Sequence, residues 1–188
     1  MLNITDLKNI AQKSISDAVD DEDLKALYDL DTSSVYYKFL YSILNTYKGK
    51  NTLTVELGTY LGRSTAFLAK ANPEGKVLTV DMDPKPDFIK IKEKFKNIQS
   101  YLGRSDDQKL LDSVNDESVD ICFFDTAHEY NVISSEVKLW APKIKSGGIM
   151  LFDDVFMNDG MKQFWQELQY TKDHSMDLHW TGFGYAIR

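Results

Sequence analysis

"TLTVELGTYLGRSTAFLAKA", residues 52–71, reads as a strand, a glycine turn and a helix, and that order decides the fold. "TLTVEL" (52–57) is strand-like and "RSTAFLAKA" (63–71) is helical. Between them, "VELGTYLGRST" sets Glu56, Gly58, Thr59, Gly62 and Ser64 around the turn. Glycine here permits a tight bend and lets backbone N–H groups approach a ligand with no Cβ in the way. Two well-known phosphate cradles do not fit. A dinucleotide loop shows G-x-G-x-x-G and a P-loop shows G-x-x-x-x-G-K-[ST]. This turn is G-x-x-x-G followed by Arg63. It suits a ligand gripped by strand-end neighbours more than by phosphate contacts. Two glycines alone describe a plain tight turn equally well.

Outward from this stretch, strands and helices alternate. Strands are expected at 76–82, 98–102, 119–125 and 148–154, with helices at 87–96, around 106–114, at 129–140 and at 160–170. Two last strands, near 176–180 and 184–188, meet around "TGFG" as a hairpin. Such alternation makes right-handed βαβ units, so the expected fold is α/β. It is a doubly wound, mostly parallel, Rossmann-like sheet with an antiparallel C-terminal hairpin and helices on both faces. Residues 1–50 read as a helical N-terminal extension and 51–188 as the main domain. In "DTSSVYYKFLYSILNTYKGK" (31–50), an Asp/Thr/Ser cluster caps a helix whose Tyr36, Leu40, Ile43 and Tyr47 form one apolar face. That face could line a pocket, although such stripes are more often plain core.

The totals narrow the function. At 188 residues the chain suits one domain with a full core, and a net charge of −7 argues against a nucleic-acid partner. The same charge suits a cationic small molecule or a metal ion. The single cysteine, Cys122, sits in an apolar run and reads as core in a reducing compartment. The start does not read as a signal peptide, and no apolar run approaches the roughly 20 residues that span a bilayer. A soluble, cytoplasmic protein without membrane contact is expected. Homo-oligomerisation stays open.

In doubly wound sheets ligands bind beyond the carboxyl ends of the strands, and the acids of this chain gather there. Asp81 ends the second strand, 23 positions beyond Gly58. An acid roughly 20 positions past a glycine turn is where a carboxylate grips a ribose diol. A solvated strand end or a helix cap is the plainer account. "CFFDTAHEY" (122–130) ends an apolar run in Asp125 and follows it with His128, while Asp153 and Asp154 end the next strand. Neighbouring strand ends lie about 4.8 Å apart. At an effective dielectric of about 20, two carboxylates there repel by about 3–4 kcal/mol. A proton, a helix N-terminus or a cation must offset this. Hard oxygen ligands favour Mg²⁺ or another hard divalent ion. Capping of the next loop by Asp153 or Asp154 is the alternative, and a doubled acid facing a third favours the metal. His128 stands where an imidazole could take a proton from a hydroxyl beside that ion. His174 and His179 read as surface or hairpin residues.

Taken together, E-x-G-x-x-x-G-x-S, "TVDMDP", D-x-x-H and "SGGIMLFDD" resemble the class I S-adenosylmethionine-dependent O-methyltransferases. Within them the chain is similar to the metal-dependent branch, with its catechol, caffeoyl-CoA and macrolide-sugar enzymes. The likeness covers about residues 51–188. It implies that Glu56, Gly58, Thr59, Gly62 and Ser64 surround the methionine part of the cofactor. Asp81 would bind the ribose, Ser105 and Asp106 would flank the adenine, and Asp125 would stand beside the cofactor. Asp125, Asp153 and Asp154 would hold the metal. His128 occupies the position of the general base, lysine in the catechol type and histidine in the sugar type. Asp154 departs from the asparagine usual in the catechol type and agrees with the sugar type.

The expected activity is metal-dependent methyl transfer from S-adenosylmethionine to a hydroxyl of a small sugar, polyol or phenol. Two other classes fit parts of the chain. A nicotinamide-dependent oxidoreductase could use Asp81 but lacks G-x-G-x-x-G. A cofactor-binding protein without catalysis would have no need to keep four such residues together.

Overall fold

The computed structural model of the protein describes residues 2–30 and 34–188. Three helices come first: α1 (Ile4–Ser16), α2 (Glu22–Tyr28) and α3 (Tyr36–Asn45). Then follow β1 (Leu53–Leu57), α4 (Arg63–Ala71), β2 (Lys76–Asp81), α5 (Pro86–Lys94), β3 (Ile98–Leu102) and α6 (Gln108–Ser113). The chain closes with β4 (Val119–Phe124), α7 (Tyr130–Trp140), β5 (Ile144–Phe152), α8 (Asp159–Glu167), β6 (Thr171–Ser175) and β7 (Phe183–Ile187). The seven strands form one sheet in the order β3-β2-β1-β4-β5-β7-β6. Strands β1 to β5 pair in parallel, and β7 runs antiparallel to both β5 and β6.

Helices cover both faces, so the central strands are apolar on both sides. In β4 the alternation is visible residue by residue. Ile121 and Phe123 join the core under α1, α3, α4 and α5, whereas Cys122 and Phe124 join the core under α6, α7 and α8. Each fully buried phenylalanine contributes about 1.5–3 kcal/mol. Leu7 and Phe39, from the N-terminal helices, share the first of these cores with Phe67 and Phe183. Among the described residues no helix is long and apolar enough to cross a membrane.

Strand order reverses between β1 and β4, which opens a cleft at their carboxyl ends. Gly58 sets its inner wall. Its φ is +100°, and a Cβ there would lie 1.7 Å from the backbone oxygen of Asp125. Only glycine lets the end of β1 press against the end of β4. Gly62, at φ +76°, then caps the start of α4 in the left-handed region.

One expectation needs correction. The first strand of the hairpin is Thr171–Ser175, with His174 opposite Gly184, so the stretch expected near 176–180 is a loop instead. That loop is held by distant backbone: Tyr36 donates to Leu178, Phe156 to Thr181 and Val155 to Gly182. Helix α3 begins after Val35, which makes no side-chain cap. The expected cap residues 31–33 lie outside the described residues.

Candidate active site

A cavity of about 670 Å³ opens at the carboxyl ends of β1, β2, β4 and β5. Gly58, Thr59, Gly62, Ser64, Asp81 and Ser105 line one end, and Asp125, His128, Asp153 and Asp154 line the other. Of the residues singled out in the sequence, Glu56 and Asp106 do not reach the wall. Asp106 points instead at Arg104, whose Nε and Nη2 donate to it at 2.7 Å each.

At the glycine end the chain meets most of its own polar groups, and buried Glu56 Oε1 is left without a hydrogen-bond partner. Asp81 accepts N–H bonds from Thr59 (2.9 Å) and Tyr60 (2.7 Å) at one oxygen and from Asp83 (2.7 Å) at the other. The carboxylate thus fixes the turn from outside while remaining at the cavity wall. Glu56 lies fully buried beneath the turn and accepts from Thr65 (2.5 Å) and Thr79 (2.6 Å). Burial raises its pKa to about 7, with the two hydroxyls pulling the other way. Ser105 donates to Glu136 at 2.5 Å, and Glu136 also receives Thr126 at 2.8 Å.

The other end is charged. Parallel pairing of Phe124 with Phe152 places Asp125 beside Asp153, as the strand-end spacing requires. Asp154 and His128 both sit at positive φ, 58° and 51°, conformations that side chains other than glycine rarely adopt. His128 Nε2 lies 3.3 Å from Asp125 and 3.5 Å from Asp154. It is buried and aligned for a hydrogen bond with neither. Burial opposes charge on His128, but Asp125 first, then Asp154 and Asp153, outweigh it and raise the pKa above 6.5.

His179 completes the cluster. Its Nδ1 lies 2.9 Å from Asp153 and 3.2 Å from Asp154. Despite the opposing effect of burial, these two carboxylates raise its pKa to about 10. Thr181 donates to Asp154. The three carboxylates divide their charge unequally. Burial and then Asp125 push Asp153 up to about 7, whereas His179, Thr181 and His128 overcome burial and hold Asp154 below the usual range. As an imidazolium, His179 offsets part of the repulsion expected between the strand ends.

Residues 55–155 match the model of a family described as a methyltransferase domain, which is more than half of the chain. The chain belongs to this methyltransferase domain family. Its fold is that of the class I enzymes. The methyltransferase PaMTH1 of Podospora anserina, solved with SAH bound, superposes with a TM-score of 0.72 at 14% identity over 100% of this chain and 97% of that one. A candidate caffeoyl-CoA O-methyltransferase of Staphylococcus aureus gives 0.60 at 18% identity over 100% and 93%. Uncharacterized protein R132 of Acanthamoeba polyphaga mimivirus is 26% identical over 136 residues, 65% of this chain. The chain spans 60% of R132 and 8% of a second curated relative.

Three residues that line the cavity are not legible in the sequence. His179 reads in the sequence as a hairpin or surface residue because its partners lie 25 and 26 positions away. Glu136 follows Ile133 on the buried face of α7, where only apolar residues were sought. Tyr37 lines the cavity beside Tyr36, whose stripe was read chiefly as core. His174 is exposed, as expected.

Proposed function

We propose that the protein is an S-adenosylmethionine-dependent O-methyltransferase acting, with a hard divalent ion, on a hydroxyl of a small sugar, polyol or phenol. One observation carries this reading: a single cavity joins the glycine turn and Asp81 to the Asp125, His128, Asp153 and Asp154 cluster. Its volume of about 670 Å³ lies within the range of small-molecule and cofactor sites. The SAH-bound neighbour and the caffeoyl-CoA-type neighbour support the choice of cofactor and of oxygen as acceptor.

The residues fit both groups. Asp81 and Ser105 stand at one end of the wall, where a nucleoside would rest. The carboxylates of Asp125, Asp153 and Asp154 offer the other end a hard oxygen donor set, with His128 Nε2 beside it. When bound, S-adenosylmethionine supplies an electrophilic methyl group. When bound, an ion held by Asp125, Asp153 and Asp154 lowers the pKa of a hydroxyl beside it.

The remaining work belongs to the chain. His128 accepts the hydroxyl proton at Nε2, and Asp125 and Asp154, at 3.3 and 3.5 Å, stabilise the imidazolium that forms. Tyr36 and Tyr37, from α3, wall the acceptor side and exclude water. Most of the rate comes from orientation in this cleft and from fixed charge.

The test is methyl transfer to a panel of vicinal diols and catechols in Mg²⁺ and in chelator. Wild-type protein should depend on the ion, and Asp153→Asn should respond to it weakly. Full activity in chelator would dispose of the metal site while leaving methyl transfer in place.

A further inference from the structure

The Asp153, Asp154 and His179 group goes beyond an all-oxygen site. The ligand atoms of these three residues lie within 4.8 Å of one another. Resting on the metal reading above, we propose that His179, releasing its Nδ1 proton to solvent as the ion enters, ligates through Nδ1 the same ion as Asp153 and Asp154, and that the centre selects a first-row transition ion such as Mn²⁺ over Mg²⁺.

Geometry carries the first half. Two ligands at right angles around an ion, each about 2.1 Å away, lie about 3.0 Å apart. His179 Nδ1 is 2.9 Å from Asp153 Oδ1 and 3.2 Å from Asp154 Oδ1. Those separations also serve hydrogen bonds, so the surroundings matter. The nitrogen is not there by chance of a loose loop. Leu178, wholly buried, and the backbone bonds from Tyr36, Val155 and Phe156 fix residues 178–182 on both sides of the ring. The Tyr36 ring meets the imidazole edge-on at 5.3 Å. On the far side of the same carboxylates, the buried His128 Nε2 has no hydrogen-bond partner. His179 Nδ1 itself meets Asp153 and, at 3.0 Å, Thr181 Oγ1, so an entering ion would take the place of these hydrogen bonds.

Ligand chemistry carries the second half. Carboxylate and water suit Mg²⁺, whereas imidazole suits later ions, and affinity for a mixed N/O site rises from Mn²⁺ along the series. One imidazole added to a carboxylate set therefore discriminates against Mg²⁺.

The test is pulsed electron paramagnetic resonance of Mn²⁺ bound to the whole protein, together with calorimetry of Mn²⁺ and Mg²⁺. Wild type and His128→Asn should show nitrogen hyperfine coupling at Mn²⁺, and His179→Asn should not. Mn²⁺ should bind wild type at least about tenfold more tightly than Mg²⁺, with that margin shrinking in His179→Asn. Circular dichroism checks that each variant is folded, and comparison of His179→Asn with His128→Asn assigns the nitrogen. Bound Mn²⁺ without nitrogen coupling would overturn the proposal and leave an oxygen-only centre standing. Coupling that survives His179→Asn would overturn it equally. No Mn²⁺ binding at all, with S-adenosylmethionine still bound, would remove the ion from both readings.

Discussion

Glu56 and Asp153 are both buried carboxyl groups whose pKa is raised to about 7, and they reach that state differently. Glu56 lies beneath the glycine turn with no other carboxylate in contact, and hydroxyls from Thr65 and Thr79 solvate it. At Asp153 burial is again the first cause, but this carboxyl also faces Asp125 and leans on a histidine from a distant loop. The first takes both hydroxyls at Oε2 and leaves its buried Oε1 without a hydrogen-bond partner. The second belongs to a set of like charges whose surplus the protein only partly offsets. At the glycine end hydroxyls and backbone N–H groups carry most of the load, whereas the strand-end carboxylates of β4 and β5 crowd like charges together.

The contrast can be broken most severely at the joint between the ends. Gly58→Ala would drive a Cβ into the backbone oxygen of Asp125, at φ +100°. A loss of more than about 4 kcal/mol in chemical unfolding is expected, since no side chain can yield there. A variant of near wild-type stability would mean that β1 and β4 can part, and that the two ends are not rigidly linked.

His128→Ala sharpens the comparison, because it should touch the reactive end alone. Turnover should fall by about 10²–10⁴-fold while S-adenosylmethionine affinity stays within a factor of about two. Wild-type turnover in that variant would remove His128 as the base. Equal loss of cofactor affinity would show that the two ends are energetically one site.

Glu56→Gln probes the scaffold end by pH. The folded pKa of about 7 exceeds the ordinary 4.5, so the folded state binds more protons between these values. On this group's account stability is highest below pH 4.5, falls as pH rises to about 7, and is level beyond. The stability of Glu56→Gln relative to wild type should therefore improve by about 3 kcal/mol between acid and alkaline conditions, read from urea midpoints. A difference independent of pH would place a charged, not a protonated, Glu56 under the turn.

Sequence reasoning reached these two ends unequally, for a physical reason. The glycine turn, Asp81, Asp125 and the Asp153–Asp154 pair were legible because strand ends in a parallel sheet share one rim. Alternation alone therefore places them together. His179 was not legible. It reaches Asp153 through a loop that backbone bonds from Tyr36, Val155 and Phe156 hold in place, and none of these is local in sequence. The same bonds explain why the hairpin strand lies at Thr171–Ser175 and not nearer the final strand. Asp106 was placed beside a ligand by the resemblance, but the neighbouring Arg104 holds it.

Isothermal titration calorimetry of S-adenosylmethionine into the purified protein with Mg²⁺, and of NAD as a control, tests the central claim most directly. The account predicts micromolar binding of S-adenosylmethionine and none of NAD. Binding of NAD alone, or of neither, would contradict it, because the glycine turn and Asp81 would then serve another purpose.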